Sequence, residues 1–471
     1  MLWTTMASAD FSSSVGPRCR FPAPVARKAE EISQGKTLLL PSSAAGFTAV
    51  VYGEAVGRSR PTPGYPTIAA LYPVPVRRLR GLPPASSPPH LAVTQLPWAK
   101  GSGLTARRGL APPGSVPSLA HVVGAVLTCR MVPAPHRPTL RDADALLGAG
   151  LISPASRDSV AAVEARYAVA ITPAIQALIQ STDDPIGRQF IPDPVELITA
   201  PHENLDPIAD DALSPVKGIV HRYADRALLK PLLICPVYCR FCFRREHVGP
   251  AGGLLSEAEL ETAYAWLADR PAIREVILTG GDPLMLSPRR LADIVTRLAA
   301  IPHVETLRIH TRVPVADPER ITDALSDALD LATPLWIVVH ANHAREFSCA
   351  AQAALDRLRR RGIPLLGQSV LLRGVNDTAT ALEGLFRAML AARVKPYYLH
   401  QLDAAPGTAR FHVPIEEGRA LLASLRGRVT GLAWPTYVLD IPGGHGKVPI
   451  GPVYLRDDGT AAGPDGLVYA L

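Results

Sequence analysis

No apolar run in this sequence reaches the roughly 20 residues that a membrane-spanning helix requires, so no membrane partner is expected. Cysteine is scarce, six in 471 residues with none after Cys349, and no segment reads as a secretory signal peptide. A disulfide scaffold, which small secreted domains use in place of a large core, is therefore not expected; a cytoplasmic location is. Acidic residues are scarce in one region only. Residues 1–130 carry 14 Lys or Arg against four acids, Asp10, Glu30, Glu31 and Glu54, while the other 341 residues carry 35 basic against 38 acidic. The formal charge of +7 thus belongs wholly to the leader, and the remainder is mildly acidic.

That leader is rich in Pro, Ser, Ala and Arg, as in RSRPTPGYPT and GLPPASSPPH, and has no sustained helical or strand period. Such a composition buries too little apolar surface to offset the entropy of ordering. Three readings compete for residues 1–130: a disordered tail, an acid-poor targeting peptide, or a start assigned too far upstream, with Met131 the true beginning. The last is preferred. Nucleic acid is not expected as a partner, since the arginines are scattered and no RNA- or DNA-binding motif accompanies them.

From about residue 140 the texture changes. Val160, Val163 and Tyr167 are spaced for a helix, with Pro173 as a break or a new start, and a Pro- and Asp-rich bridge runs from DDPIGRQFIPDP to NLDPIADDALSP. Apolar strands are then expected at 227–235, 274–280, 306–312, 334–341, 364–372 and 394–402, separated by helices around 256–269, 288–300, 318–330, 344–361 and 378–392. This alternation implies right-handed βαβ units and a parallel sheet, an α/β fold. The expected organisation is the leader, a helical and extended region over 131–220, a core over 221–430 and a short C-terminal segment over 431–471. In barrel-like sheets the strand C-terminal ends face the active site, so polar residues just past a strand are the candidates.

The densest signal is CPVYCRFC, in which Cys235, Cys239 and Cys242 follow the first core strand. Half a zinc site would want a fourth Cys or His at C-x2-C-type spacing; His247 is near, but the three-residue first gap is wrong for a zinc knuckle. Three thiolates suit a 4Fe-4S cluster with one iron left open, whereas clusters that only transfer electrons normally take four cysteines. The spacing, with Phe241 before the last cysteine, resembles the radical S-adenosylmethionine (SAM) enzymes, in which SAM closes the fourth iron site and an electron donor reduces the cluster. Gly280, Gly281 and Asp282, just past the second strand, resemble that family's glycine motif. This implies SAM binding by backbone of little bulk, with the Asp282 carboxylate as an acceptor; alone, the same residues read as an ordinary turn. The fold implied is a partial (β/α)6 barrel.

A sharper resemblance, over roughly residues 160–455, is to the lysine 2,3-aminomutase family. It rests on HRYADRALL (221–229), CPVYCRFCFRR (235–245), LTGGDPL (278–284), GQSVLLRGVND (367–377), KPYYLHQLD (395–403) and PTYVLDIPGGHGK (435–447). The resemblance implies pyridoxal 5′-phosphate (PLP) as a third cofactor and Lys447 as the catalytic lysine that holds it. It further implies Arg222 and Gln368 as the grip on the PLP phosphate, Arg244 as the clamp on the substrate carboxylate, and Asp403 with Asp440 as the receptor of a distal ammonium. Without the resemblance, Lys447 reads as a solvated loop residue, Arg222 as a surface arginine, Gln368 as a core amide and Asp403 as the cap of the AAPG turn. Two neighbouring carboxylates repel unless a cation lies between them, which suits lysine and not glutamate.

There are departures from the family pattern. Thr378 stands where its best-known member has a cysteine after VND, and no late cysteine cluster is present, so neither a structural zinc nor a zinc-tied, domain-swapped assembly is implied. The chain ends 24 residues past Lys447, an end similar to that of relatives whose β-lysine is attached to elongation factor P. The implied reaction is an isomerisation, L-lysine to β-lysine by 2,3-amino migration. The alternatives are an aminomutase of another amino acid, such as arginine or ornithine, and an iron–sulfur protein without catalysis. Oligomeric state is left open.

Overall fold

The computed structural model describes residues 137–471; the expectations for residues 1–130 lie outside the described residues. Strand β1 (Ile219–Tyr223) pairs antiparallel with β2 (Arg226–Leu232). A parallel run continues through β3 (Glu275–Gly280), β4 (Thr306–Thr311), β5 (Leu335–His340), β6 (Leu365–Val370), β7 (Lys395–His400) and β8 (Thr436–Asp440). Strand β9 (Lys447–Gly451) returns antiparallel to β8 and forms the far edge. The nine strands lie in chain order, so each crossover moves on by one strand. A separate hairpin, β10 (Thr460–Ala462) with β11 (Val468–Ala470), follows.

The six strands expected from the sequence are present as β2 to β7, and the α/β architecture is as expected. The expectation undercounts the sheet, which has a seventh parallel strand in β8 and antiparallel edges in β1 and β9. The crossover helix leading to β8, Ile415–Leu425, starts from Pro414 with no side-chain cap, so it lacks the usual start signal. Because β1 spans the expected boundary at 220/221 and β8 and β9 extend the core sheet, residues 431–451 are part of the core and not a segment apart.

Local chemistry sets the other helix starts. Ser256, Ser287, Ser348 and Thr378 each accept a hydrogen bond from the backbone N–H three residues on, opening helices Glu257–Ala268, Pro288–Ala299, Cys349–Arg360 and Ala379–Ala391. Such caps satisfy amide donors that have no partner inside the helix. The position at which the family pattern has a cysteine is thus a helix cap in this chain. The single helix expected over 318–330 is instead two short turns, 318–320 and 323–327, preceded by another at 313–316. Asp317 leaves the helical region ahead of Pro318, as residues before proline tend to, and Thr322 caps a new start.

The helices bury Leu260, Leu267, Leu291, Leu298, Leu355 and Leu385 against strand residues such as Val276, Leu278, Leu307, Ile309, Ile337 and Val339. Since side chains alternate across a strand, the intervening residues face the opposite side of the sheet. A second apolar cluster, built from residues 140–191, packs on Val237 of the cysteine loop and on Ala316.

Glu196 ties this N-terminal region to that loop. It is 0% exposed and accepts from Arg240 Nε at 2.9 Å, from Arg245 Nη2 and from Arg410 Nη2 at 3.2 Å. Burial would raise its pKa, but Arg240 first, then Arg245 and Arg410, hold the carboxylate below its ordinary range. Removing the anion leaves Arg240 and Arg245 buried without a counter-charge, while Arg410 keeps Asp193 at 2.5 Å. Glu196→Ala is therefore expected to lower unfolding free energy by about 3–5 kcal/mol, the range for breaking a buried ion pair, seen as a lower urea midpoint. A midpoint at the wild-type value would show that the network contributes nothing net.

Candidate active site

One cavity of about 780 Å³ is lined by residues from all nine strands, near the upper end of the size of small-molecule sites. All twelve residues singled out from the sequence line it. Strand register accounts for part of this lining. Gln368 and Val370 on β6, Tyr398 and His400 on β7, and Val438 and Asp440 on β8 are each two residues apart, so each pair shares a strand face, and all six line the cavity.

At one end lie Cys235, Cys239 and Cys242, in the loop after β2. Burial pushes all three thiols up, with Cys242 reaching about 11, and the neighbouring cysteines add to the rise at Cys235 and Cys242. Three half-buried thiols in one loop would need compensating positive charge to ionise together, which irons would provide; a coordinated thiol is deprotonated outright. The donor set therefore fits an iron–sulfur cluster. His247, the residue that a zinc reading would recruit, instead faces Asp211 at 3.7 Å.

Gly280 and Gly281 line the cavity, but a different contact demands their small size. Gly280 has φ +100°, and a Cβ there would sit 2.8 Å from Lys230 Cβ and 2.9 Å from the Leu232 carbonyl oxygen; at Gly281 it would meet the backbone of Ile234. The glycines let the end of β3 lie against the chain that delivers Cys235. Asp282 also has partners within the chain. Its carboxylate already accepts from Leu284 N at 3.1 Å, Thr311 Oγ1 at 2.8 Å, Arg312 N at 2.6 Å and Val313 N at 3.1 Å. Asp282 thus splices the ends of β3 and β4, with the Val313 N–H shared between it and Thr311 Oγ1 at 3.0 Å.

Arg244 donates from Nε to Asp210 at 2.7 Å, while its two terminal nitrogens have no partner among the described residues. Arg222 reaches the Ile208 carbonyl at 2.6 Å and Asp210 at 3.2 Å, leaving its buried Nε unpaired. Lys230 also faces Asp210, at 3.9 Å. Burial would raise Asp210, but Arg244, Lys230 and Arg222 together hold its pKa below the ordinary carboxylate range. The Gln368 amide has no hydrogen-bond partner among the described residues, which argues against its reading as a satisfied core amide.

Lys447 and Asp440 are direct cross-strand partners at the base of the β8–β9 hairpin. The PGGHG turn between them needs its glycines at 443, 444 and 446, all with positive φ. Lys447 Nζ is ion-paired with Asp440 Oδ2 and lies 3.4 Å from His400 Nδ1. Its backbone N–H donates to the Tyr223 hydroxyl at 2.7 Å. Asp440 thus begins with a cation from its own chain. Burial would raise it, but His400 and Lys447 outweigh that and hold it below the ordinary range.

Asp403 is the contrasting acid. The AAPG turn is tied by its backbone carbonyl, which accepts from Ala405 N at 2.9 Å, so the side chain is not the cap that a structural reading assumes. Burial, aided by the charge of Asp440, pushes it up to about 7.

Some cavity residues were not anticipated: His310, His340, His400, Arg308, Tyr398 and Arg312. A signal existed, since TLRIHTR alternates apolar residues with Arg308, His310 and Arg312, too polar for a strand covered on both faces. Asp210 gave no such signal within its Asp-rich bridge. Lys395, the next lysine that could serve PLP, donates to the Pro396 and Trp434 carbonyls at 2.5 and 2.9 Å and does not line the cavity.

An acid with a raised folded pKa contributes stability that is present below its unfolded value and lost as pH rises through the folded value. For Asp403 that window runs from 3.8 to about 7. In the cofactor-free protein, Asp403→Asn is expected to gain stability relative to wild type across that window and to level off above it, measured by urea unfolding at a series of pH values. A difference independent of pH would mean that Asp403 is ionised throughout.

A Radical SAM superfamily model matches residues 229–381 and a Lysine-2,3-aminomutase model matches residues 422–461. Radical SAM enzymes carry a 4Fe-4S cluster and SAM, in agreement with the cysteine end of the cavity. The chain is 40% identical to L-lysine 2,3-aminomutase of Fusobacterium nucleatum subsp. nucleatum over 61% of its own length and 68% of that protein. It is 40% identical to L-lysine 2,3-aminomutase of Clostridium subterminale, over 61% and 70%. Glutamate 2,3-aminomutase of Clostridioides difficile shares 34% identity over 68% of this chain and 76% of that protein. Among the described residues no helix is long and apolar enough to cross a membrane. A likeness that runs from the cysteine loop to the lysine hairpin makes this chain an isomerase of the lysine 2,3-aminomutase family of radical SAM enzymes.

Proposed function

We propose that the chain moves the 2-amino group of L-lysine to C3, giving β-lysine. The observation that carries this reading is the meeting of Asp403, Asp440 and Lys447 on the wall of the cavity that also holds the three thiols and Arg244. When bound, the cluster with SAM would supply a hydrogen-abstracting radical, and PLP a conjugated system that lowers the cost of an unpaired electron beside the migrating nitrogen.

Cys235, Cys239 and Cys242 hold the cluster in this reading, with the Gly280–Gly281 backbone beside the SAM site. Lys447 holds PLP, and the unpaired Nε of Arg222 with the free amide of Gln368 suits its phosphate. The two free terminal nitrogens of Arg244 form a fork matched to the substrate carboxylate. With Lys447 engaged by PLP, Asp440 would lack its lysine cation beside an already unfavourable Asp403, and the distal ammonium of lysine would restore the balance and favour ionised Asp403. A glutamate side chain would instead bring a third negative charge to the same wall, which favours the named lysine relatives over the glutamate one.

Anaerobic reconstitution with iron, sulfide, PLP and SAM, followed by product analysis, is expected to yield β-lysine from L-lysine. Another β-amino acid in its place would keep the chemistry and overturn the substrate. Asp403→Asn and Asp440→Asn should each weaken kcat/KM for lysine by about 2–5 kcal/mol in transition-state binding, with far less than additive loss in the double variant. Lys447→Ala should lose PLP absorbance while keeping its iron; PLP retained by that variant would move the PLP lysine elsewhere.

A further inference from the structure

We propose that Arg312 tunes the reduction potential of the iron–sulfur cluster through the sulfur of Cys239, an inference that rests on the three cysteines holding that cluster. Arg312 stands one residue past β4 and is 5% exposed. Its Nη1 donates to Cys239 Sγ at 2.8 Å. Its Nη2 donates to Gln189 Oε1 at 2.6 Å and to Glu346 Oε2 at 2.8 Å. The guanidinium lies over the Phe190 ring at 4.6 Å and near Phe241 at 5.5 Å, and its backbone N–H is held by Asp282. Position and orientation are thus fixed from several sides. Of the three thiols, Cys239 alone accepts a hydrogen bond from a charged side chain among the described residues.

The ion pair with Glu346 would by itself account for a buried arginine. It does not account for the second arm of the fork being spent on a ligand sulfur. Hydrogen bonds to cluster sulfurs and nearby charge are the protein's means of setting a cluster's potential. A fixed cation at Cys239 draws electron density from the sulfur and stabilises the electron that the cluster accepts from a low-potential one-electron donor. Glu346, itself 0% exposed, attenuates that effect. Removing the cation and removing its counter-anion should therefore shift the potential in opposite directions, an outcome that a purely structural pair would not produce.

The test is a mediated redox titration of the reconstituted enzyme, read by electron paramagnetic resonance, with iron content measured for each variant. Arg312→Gln is expected to shift the midpoint negative, cutting the reduced-to-oxidised ratio at a fixed poise about tenfold, or about 59 mV for a one-electron couple. Arg312→Lys should shift it less in the same direction, and Glu346→Gln should shift it positive. A wild type that takes up no cluster overturns the cluster reading itself. A wild type with its cluster and variants whose midpoints match it overturns this proposal alone. If Arg312→Gln retains no iron, the signs for Arg312→Lys and Glu346→Gln decide; if none of the three retains iron, Arg312 serves assembly and the proposal fails.

Discussion

A carboxylate closed off from water, with guanidinium groups on several sides, joins the N-terminal region to the loop that carries the cysteines. Such an anion is unstable alone, and Arg240 and Arg245, which have no other carboxylate partner among the described residues, would be unstable without it. The group of Glu196, Arg240, Arg245 and Arg410 therefore behaves as one unit. Asp210 and Glu346 repeat the device closer to the chemistry, Asp210 gathering Arg222, Arg244 and Lys230 and Glu346 steering Arg312. In each case a remote acid uses part of a guanidinium's donor capacity and leaves the rest directed elsewhere. That is a way to hold a long, flexible cation in one orientation before any ligand arrives.

The opposite wall of the problem is a shortage of positive charge. Asp440 is satisfied by Lys447 and His400, whereas Asp403 meets burial with no hydrogen-bond partner and rises to about 7. Two acids in one enclosure are thus pushed apart by their surroundings, one ionised and one poised near neutrality. On the proposed reading the same cation cannot serve both PLP and Asp440. Loading the cofactor would therefore create the demand for a second ammonium, and the affinity for lysine would depend on Lys447 having moved.

Legibility from the sequence differed by the kind of interaction. The cysteine triplet and the GGDP turn are local, so spacing along the chain carried them, whereas the role of Lys447 in PGGHGK came from the family resemblance and the hairpin it closes was not anticipated. The apolar period likewise located β2 to β7, each covered by helices that the same period revealed. Asp282 shows what local reading could not see: the end of β4 supplies Thr311, Arg312 and Val313 as donors to a carboxylate that follows a glycine pair. Asp403 shows the reverse, since the turn cap that its position also allowed is made by its backbone carbonyl, and its side chain has no hydrogen-bond partner among the described residues.

The sequence by itself determined the cysteine and glycine motifs and six of the seven parallel strands, because each depends on neighbours a few positions away. Only the tertiary structure decided which of those side chains are still free to act. Asp210 reaches Arg244 across 34 residues, Glu346 reaches Arg312 across 34, and Gln189 reaches Arg312 across 123. Those pairings follow from packing and from the cost of leaving a buried charge alone, and neither has any period that a linear sequence displays.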